Sequence, residues 1–85
     1  MSRSLFGDAY ATFVGELIAA RRKAGITQAQ LGERLSKPQS FISKIERGER
    51  RIDVIEFCAV ARALGFQPAA LLDAIDAALP DDLAV

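Results

Sequence analysis

The sequence has no histidine, no tryptophan and one cysteine, Cys58. The missing histidine removes the side chain best placed for acid–base work near neutral pH, and the commonest zinc ligand. A lone cysteine excludes an internal disulfide and a cysteine-built metal cage. Net charge is absent too, with 11 basic and 11 acidic residues. No apolar run approaches the ~20 residues of a membrane span, and no basic stretch leads into the apolar core of a secretory signal. There is no glycine-rich phosphate loop, and the carboxylates fall mostly at helix caps and exposed turns. These absences speak against an enzyme, a cofactor or a membrane partner, and cytoplasm is the default location. At 85 residues the chain has room for one domain over 1–85. Its 51% hydrophobic content is enough for a core and argues against disorder.

The charges that cancel in sum do not cancel along the chain. Between Ala20 and Arg51 nine basic residues face three acidic ones, whereas Ile52 to Val85 holds one basic residue and six acidic ones. Local sign, rather than net charge, decides where a polyanion docks. By itself this pattern also fits two solvated faces of opposite sign.

Apolar residues recur at helical spacing, and no stretch alternates for long enough to make a strand. The first helix is predicted over 8–24, with Tyr10, Phe13, Val14, Leu17 and Ile18 on one face. Arg21 continues that stripe, and a charge on a core-facing line requires a partner. Gly25 ends the helix. Thr27-Gln28-Ala29-Gln30 is a capping box and opens a second helix over 27–35, with Leu31 and Leu35 inward. Ser36-Lys37-Pro38-Gln39 reads as a second start, with Ser36 as cap, for a third helix over 37–47. Asp53-x-x-Glu56 opens a fourth over 53–64, whose core stripe is Val54, Phe57, Ala61 and Leu64. Pro68 opens a fifth over 68–79.

The second and third helices are separated by a short turn, the spacing of a helix-turn-helix. Gly32 is small where the two helices approach. On a helical wheel Gln39, Ser43, Arg47, Ser40 and Lys44 span about 140° of the third helix, and Ile42 and Ile45 lie on the other side. The polar face has amides, hydroxyls and cations but no carboxylate. Glutamine suits adenine, lysine or arginine suits guanine, and serine suits a base or a phosphate. Phe41 lies on the flank of the buried side and fits packing better than contact with a thymine methyl.

Three segments together resemble the XRE family of lambda-repressor/Cro-like DNA-binding domains. They are Arg21-x-x-x-Gly25-Ile26-Thr27-Gln28-x-x-Leu31-Gly32, then Gln39-Ser40-Phe41-Ile42-Ser43-Lys44-Ile45-Glu46-x-Gly48, then Ala61-x-Ala63-Leu64-Gly65. The resemblance runs from about Tyr10 to Leu72. It implies an all-α, compact five-helix lambda-repressor-like domain that binds double-stranded DNA as a transcriptional regulator. It implies that Gln28 meets a phosphate, that Gln39, Ser40, Ser43 and Lys44 reach bases or phosphates, and that Arg47, Arg50 and Arg51 hold the backbone. Thr27 and Lys37 complete the candidate set. It also pairs Arg21 with Glu46, a partner on the edge of the third helix's buried face, where the Arg21 stripe requires one. The family often has glycine where this chain has Ser36, so a slightly different turn is expected.

Family members usually dimerise on two-fold-symmetric operators, with recognition helices ~34 Å apart. The surplus apolar surface here points to Ile55, Cys58, Ala59, Leu71, Leu72, Ile75 and Leu79 as a homodimer interface. The alternative is that the fifth helix closes the core of the monomer. Cys58 fits a small hydrophobe better than a redox sensor. Two other readings stay open. One is an antitoxin or antiactivator whose helix-turn-helix engages a protein. The other is a controller protein of a restriction–modification operon.

Overall fold

The computed structural model describes residues 7–83, which form five α-helices. They are α1 (Asp8–Lys23), α2 (Gln28–Arg34), α3 (Gln39–Glu46), α4 (Val54–Ala63) and α5 (Pro68–Ala78). α3 packs on α2 and α1, α4 on α2 and α5, and α5 closes back on α1. The core draws on every helix, through Leu17 and Ala20, Leu31, Ile42 and Ile45, Phe57, Val60 and Ala61, and Leu71 and Ile75. On the α1 side, Phe13 stacks obliquely between Tyr10 and Phe57, with ring centroids 5.4 and 6.0 Å away.

Local chemistry sets the helix ends. Thr27 Oγ1 accepts the Gln30 amide, and Gln30 Oε1 accepts the Thr27 amide, so α2 begins in a reciprocal capping box. Asp53 and Glu56 do the same for α4. Each satisfies two amides that a helix start leaves unpaired. Four helix ends share one closure, in which a residue at positive φ lets two successive amides fold back onto the last turn. Glycine provides it after α1, α3 and α4, at Gly25, Gly48 and Gly65. After α2 it is Ser36, at φ 56°, whose amide donates to the Glu33 carbonyl while that of Lys37 donates to Gly32. Ser36 is therefore not the cap of α3; that position falls to Pro38, with no side-chain cap bond. The turn also keeps the left-handed conformation that a glycine would adopt.

Gly32 is buried where the chain doubles back. A β-carbon there would lie 2.8 Å from the Lys37 carbonyl oxygen and 3.3 Å from Pro38 backbone atoms. The close approach is thus to the turn backbone.

Three expectations about apolar positions change. Val54 is 74% exposed, because the first turn of α4 projects past the core that Phe57 begins. Leu71 and Ile75, expected at an interface, are 7% and 1% exposed within the monomer. They form the inner face of α5, which packs on α1 and α4.

Candidate nucleic-acid interface

α3 is held by one face and open on the other. Ile42 and Ile45 are buried. Gln39, Ser40, Lys44 and Arg47 are exposed, and Ser43 is half-buried beside them. The one carboxylate of α3, Glu46, turns away from this surface. Arg21 Nε donates to Glu46 Oε2 at 2.6 Å and Nη2 to Oε1 at 2.9 Å. Arg21 Nη1 donates to the Ile26 carbonyl at 2.9 Å, so the guanidinium also fastens the α1–α2 turn. The two side chains are only 12% and 8% exposed, which makes this a largely dry, forked pair between α1 and α3.

The pair continues outward. Gln28 Nε2 donates to Glu46 Oε1 at 2.8 Å, and Gln28 Oε1 accepts from Gln39 Nε2 at 3.3 Å. A chain of polar contacts thus runs from the scaffold to the first residue of α3. It orients the Gln28 amide, and Gln39, which donates to it through Nε2, keeps Oε1 as an acceptor. Thr27 is exposed, with its hydroxyl engaged in the α2 cap. Lys37 is exposed, with Nζ 5.3 Å from the Phe41 ring centroid.

The basic segment after α3 divides by partner. Arg47 forms an open ion pair with Glu49, Nε to Oε2 at 3.0 Å. Arg51 is exposed, and its guanidinium lies 5.0 Å from the Tyr10 ring centroid. Arg50 turns inward. Its Nη2 and Nη1 donate to Glu56 at 2.8 and 3.1 Å, and Nη1 also donates to the Arg51 carbonyl. The Arg50 guanidinium sits 4.6 Å from the Phe41 centroid. These contacts hold the Glu56 carboxyl below its usual range, the Arg50 hydrogen bonds first and the Asp53 amide next. Tyr10 Oη accepts the Ile52 amide at 3.2 Å and donates to the Arg50 carbonyl at 3.4 Å, tying the loop to α1. Burial pushes the Tyr10 hydroxyl above its ordinary pKa.

The chain is similar in sequence and fold to known helix-turn-helix proteins. The helix-turn-helix family matches residues 17–71, well over half the chain. The chain belongs to the XRE-type helix-turn-helix family. Among solved structures, an XRE-family like protein from Pseudomonas syringae pv. tomato str. DC3000 is 49% identical, with a TM-score of 0.77 over 85% of this chain and 88% of that one. The restriction-modification controller protein C.AhdI from Aeromonas hydrophila is 26% identical, with a TM-score of 0.67 over 73% and 90% of the two chains. The clp gene regulator ClgR from C. glutamicum shares the fold at 22% identity, with a TM-score of 0.73 over 86% and 94%. No curated protein matches.

The XRE-type fold is that of DNA-binding transcription regulators, and α2 and α3 are its helix-turn-helix. Of the candidate interface residues, Ile55, Ala59 and Leu72 are exposed, and Cys58 and Leu79 are half-buried. Leu79 packs against the core. Two features were not visible in the sequence: the Gln28–Gln39 contact and the second role of Glu56. Residues eleven and six positions apart, across turns, fall on no common helical period.

Proposed function

We propose that this protein is a sequence-specific transcriptional regulator that binds double-stranded DNA as a homodimer and places one α3 in each of two successive major grooves. The observation that carries this reading is the carboxylate-free outer face of α3, with its single glutamate drawn inward by Arg21. On that face Gln39, Ser40, Ser43 and Lys44 have the donors and acceptors for base edges. Arg47, Arg51 and Lys37 surround them with positive charge for phosphates. Gln28 restrains Gln39, so less side-chain freedom is lost on binding.

The dimer surface we favour is the outer side of α4. Val54, Ile55, Cys58 and Ala59 form an apolar strip there that ends at Arg62. It carries no carboxylate to oppose its own copy across a two-fold axis. The exposed Leu72 of α5 lies beside Asp73 and Asp76 and would bring like charges together. Ile55→Asp is expected to give a monomer in sedimentation at tens of micromolar; wild type that is itself monomeric there would sink the dimer.

The deciding test is binding to the DNA upstream of its own coding sequence, against random DNA, at two salt concentrations. We expect preference for the upstream DNA, steeply weakened by salt, and loss of that preference in Gln39→Ala and Lys44→Ala. Equal and weak binding to both DNAs would overturn it. The likeness to C.AhdI supports a narrower second reading, a controller of a restriction–modification operon. Adjacent nuclease and methyltransferase genes would favour it.

A further inference from the structure

We infer that Arg50 is a positioning residue, held by Glu56 away from DNA, and that Glu56 thereby limits how many cations the loop after α3 offers to phosphates. The inference rests on the DNA-binding reading above and assigns a different role to one of its arginines. By charge and place in the sequence, Arg50 and Arg51 are alike. Geometry separates them. The Arg50 guanidinium forks onto both oxygens of Glu56 and stacks at 4.6 Å on Phe41, which lies on the half-buried flank of α3. Glu56 is itself fixed, because its Oε1 accepts the Asp53 amide in the capping box of α4. Arg50 therefore bridges the start of α4 to the side of α3.

The backbone closes the same clasp. The Arg50 amide donates to the Lys44 carbonyl at the end of α3, and the Arg50 carbonyl accepts from Tyr10 on α1. The next amide but one, that of Ile52, returns to Tyr10 Oη. The loop is thus pinned on α3, α1 and α4, and Arg51 is carried between two of these pins, exposed. A cation forked on a carboxylate releases few counterions when DNA arrives, whereas one that meets a phosphate releases about one.

The test is the slope of log affinity against log salt, measured on upstream and random DNA for wild type, Arg50→Ala, Arg51→Ala and Glu56→Gln. We expect Arg51→Ala to lower the slope by about one and weaken both DNAs alike. Arg50→Ala should leave the slope unchanged while reducing preference for the upstream DNA. Glu56→Gln is the control for folding, because glutamine still completes the capping box. It should free Arg50, steepen the slope by about one and raise affinity for random DNA several-fold. Equal slope losses in Arg50→Ala and Arg51→Ala, with an unchanged slope in Glu56→Gln, would overturn the inference and leave DNA binding intact. A wild type with no salt-dependent DNA binding would instead overturn the reading on which it rests, and this inference with it.

Discussion

The Arg21 guanidinium and the Glu46 carboxylate meet face to face between α1 and α3, with Nε 2.6 Å from Oε2 and Nη2 2.9 Å from Oε1. Removing one partner leaves the other charge in a site that water barely reaches. Arg21→Ala is therefore expected to cost about 3–5 kcal/mol, a large share of the stability of so small a domain. Urea unfolding measures it. Arg21→Ala/Glu46→Ala should lose less than the two single changes together, because neither charge is then stranded. Additive losses would mean that the pair is not coupled.

Ser36 holds φ 56° at the closure of α2. For a residue with a β-carbon that conformation costs roughly 1–2 kcal/mol, and glycine's extra freedom in the unfolded chain offsets about 0.5–1 of it. Ser36→Gly should stabilise the protein by about 0.5–1 kcal/mol, read as a higher urea midpoint at unchanged slope. A lower midpoint would show that the serine side chain contributes more to the turn than its backbone costs.

Gly32 presents the opposite case. Alanine would improve helix propensity in α2 by about 1 kcal/mol, yet its β-carbon would press to 2.8 Å on the Lys37 carbonyl oxygen. The obstacle is backbone that belongs to the turn, so it cannot swing aside as a side chain would. Overpacking of this kind costs about 1–3 kcal/mol, which outweighs the gain. Gly32→Ala should unfold at lower urea, and a neutral result would show that the turn between α2 and α3 can open by several tenths of an ångström.

Ser36 and Gly32 also show where the sequence was and was not legible. The five helices were readable because apolar residues recur at 3.6-residue spacing and because caps and glycines punctuate them. Arg21 announced a buried partner by standing on an apolar stripe. Ser36 was read as a cap because serine fits two local roles, and only the backbone path chooses between them. Leu71 and Ile75 stood on an apolar face, but periodicity identifies a face without saying what covers it; here the cover is α1 and α4. Val54 kept the period of the α4 core stripe yet lies beyond its end. The separation of Arg50 from Arg51 was not legible at all, because it depends on a loop bringing Glu56 and Phe41 to one of two adjacent, like-charged residues.

That separation has a signature in pH. The Glu56 carboxyl lies below its ordinary value of 4.5, because Arg50 and then the Asp53 amide bond to its ionised form. A carboxyl depressed by folding contributes stability that is fully present above its unfolded value and is lost as pH falls through the folded one. Wild type should therefore exceed Glu56→Gln in stability near neutral pH, and the gap should close as pH falls below the ordinary carboxyl value of 4.5 and through the lowered folded one. Other carboxylates titrate in the same window, but they are common to both proteins and cancel in the difference. Both side chains are partly exposed, so the gap should also shrink in high salt. Thermal unfolding of the two proteins across that window reads it directly. A gap that stays constant with pH would mean that the difference between the two proteins does not come from the Glu56 charge on Arg50.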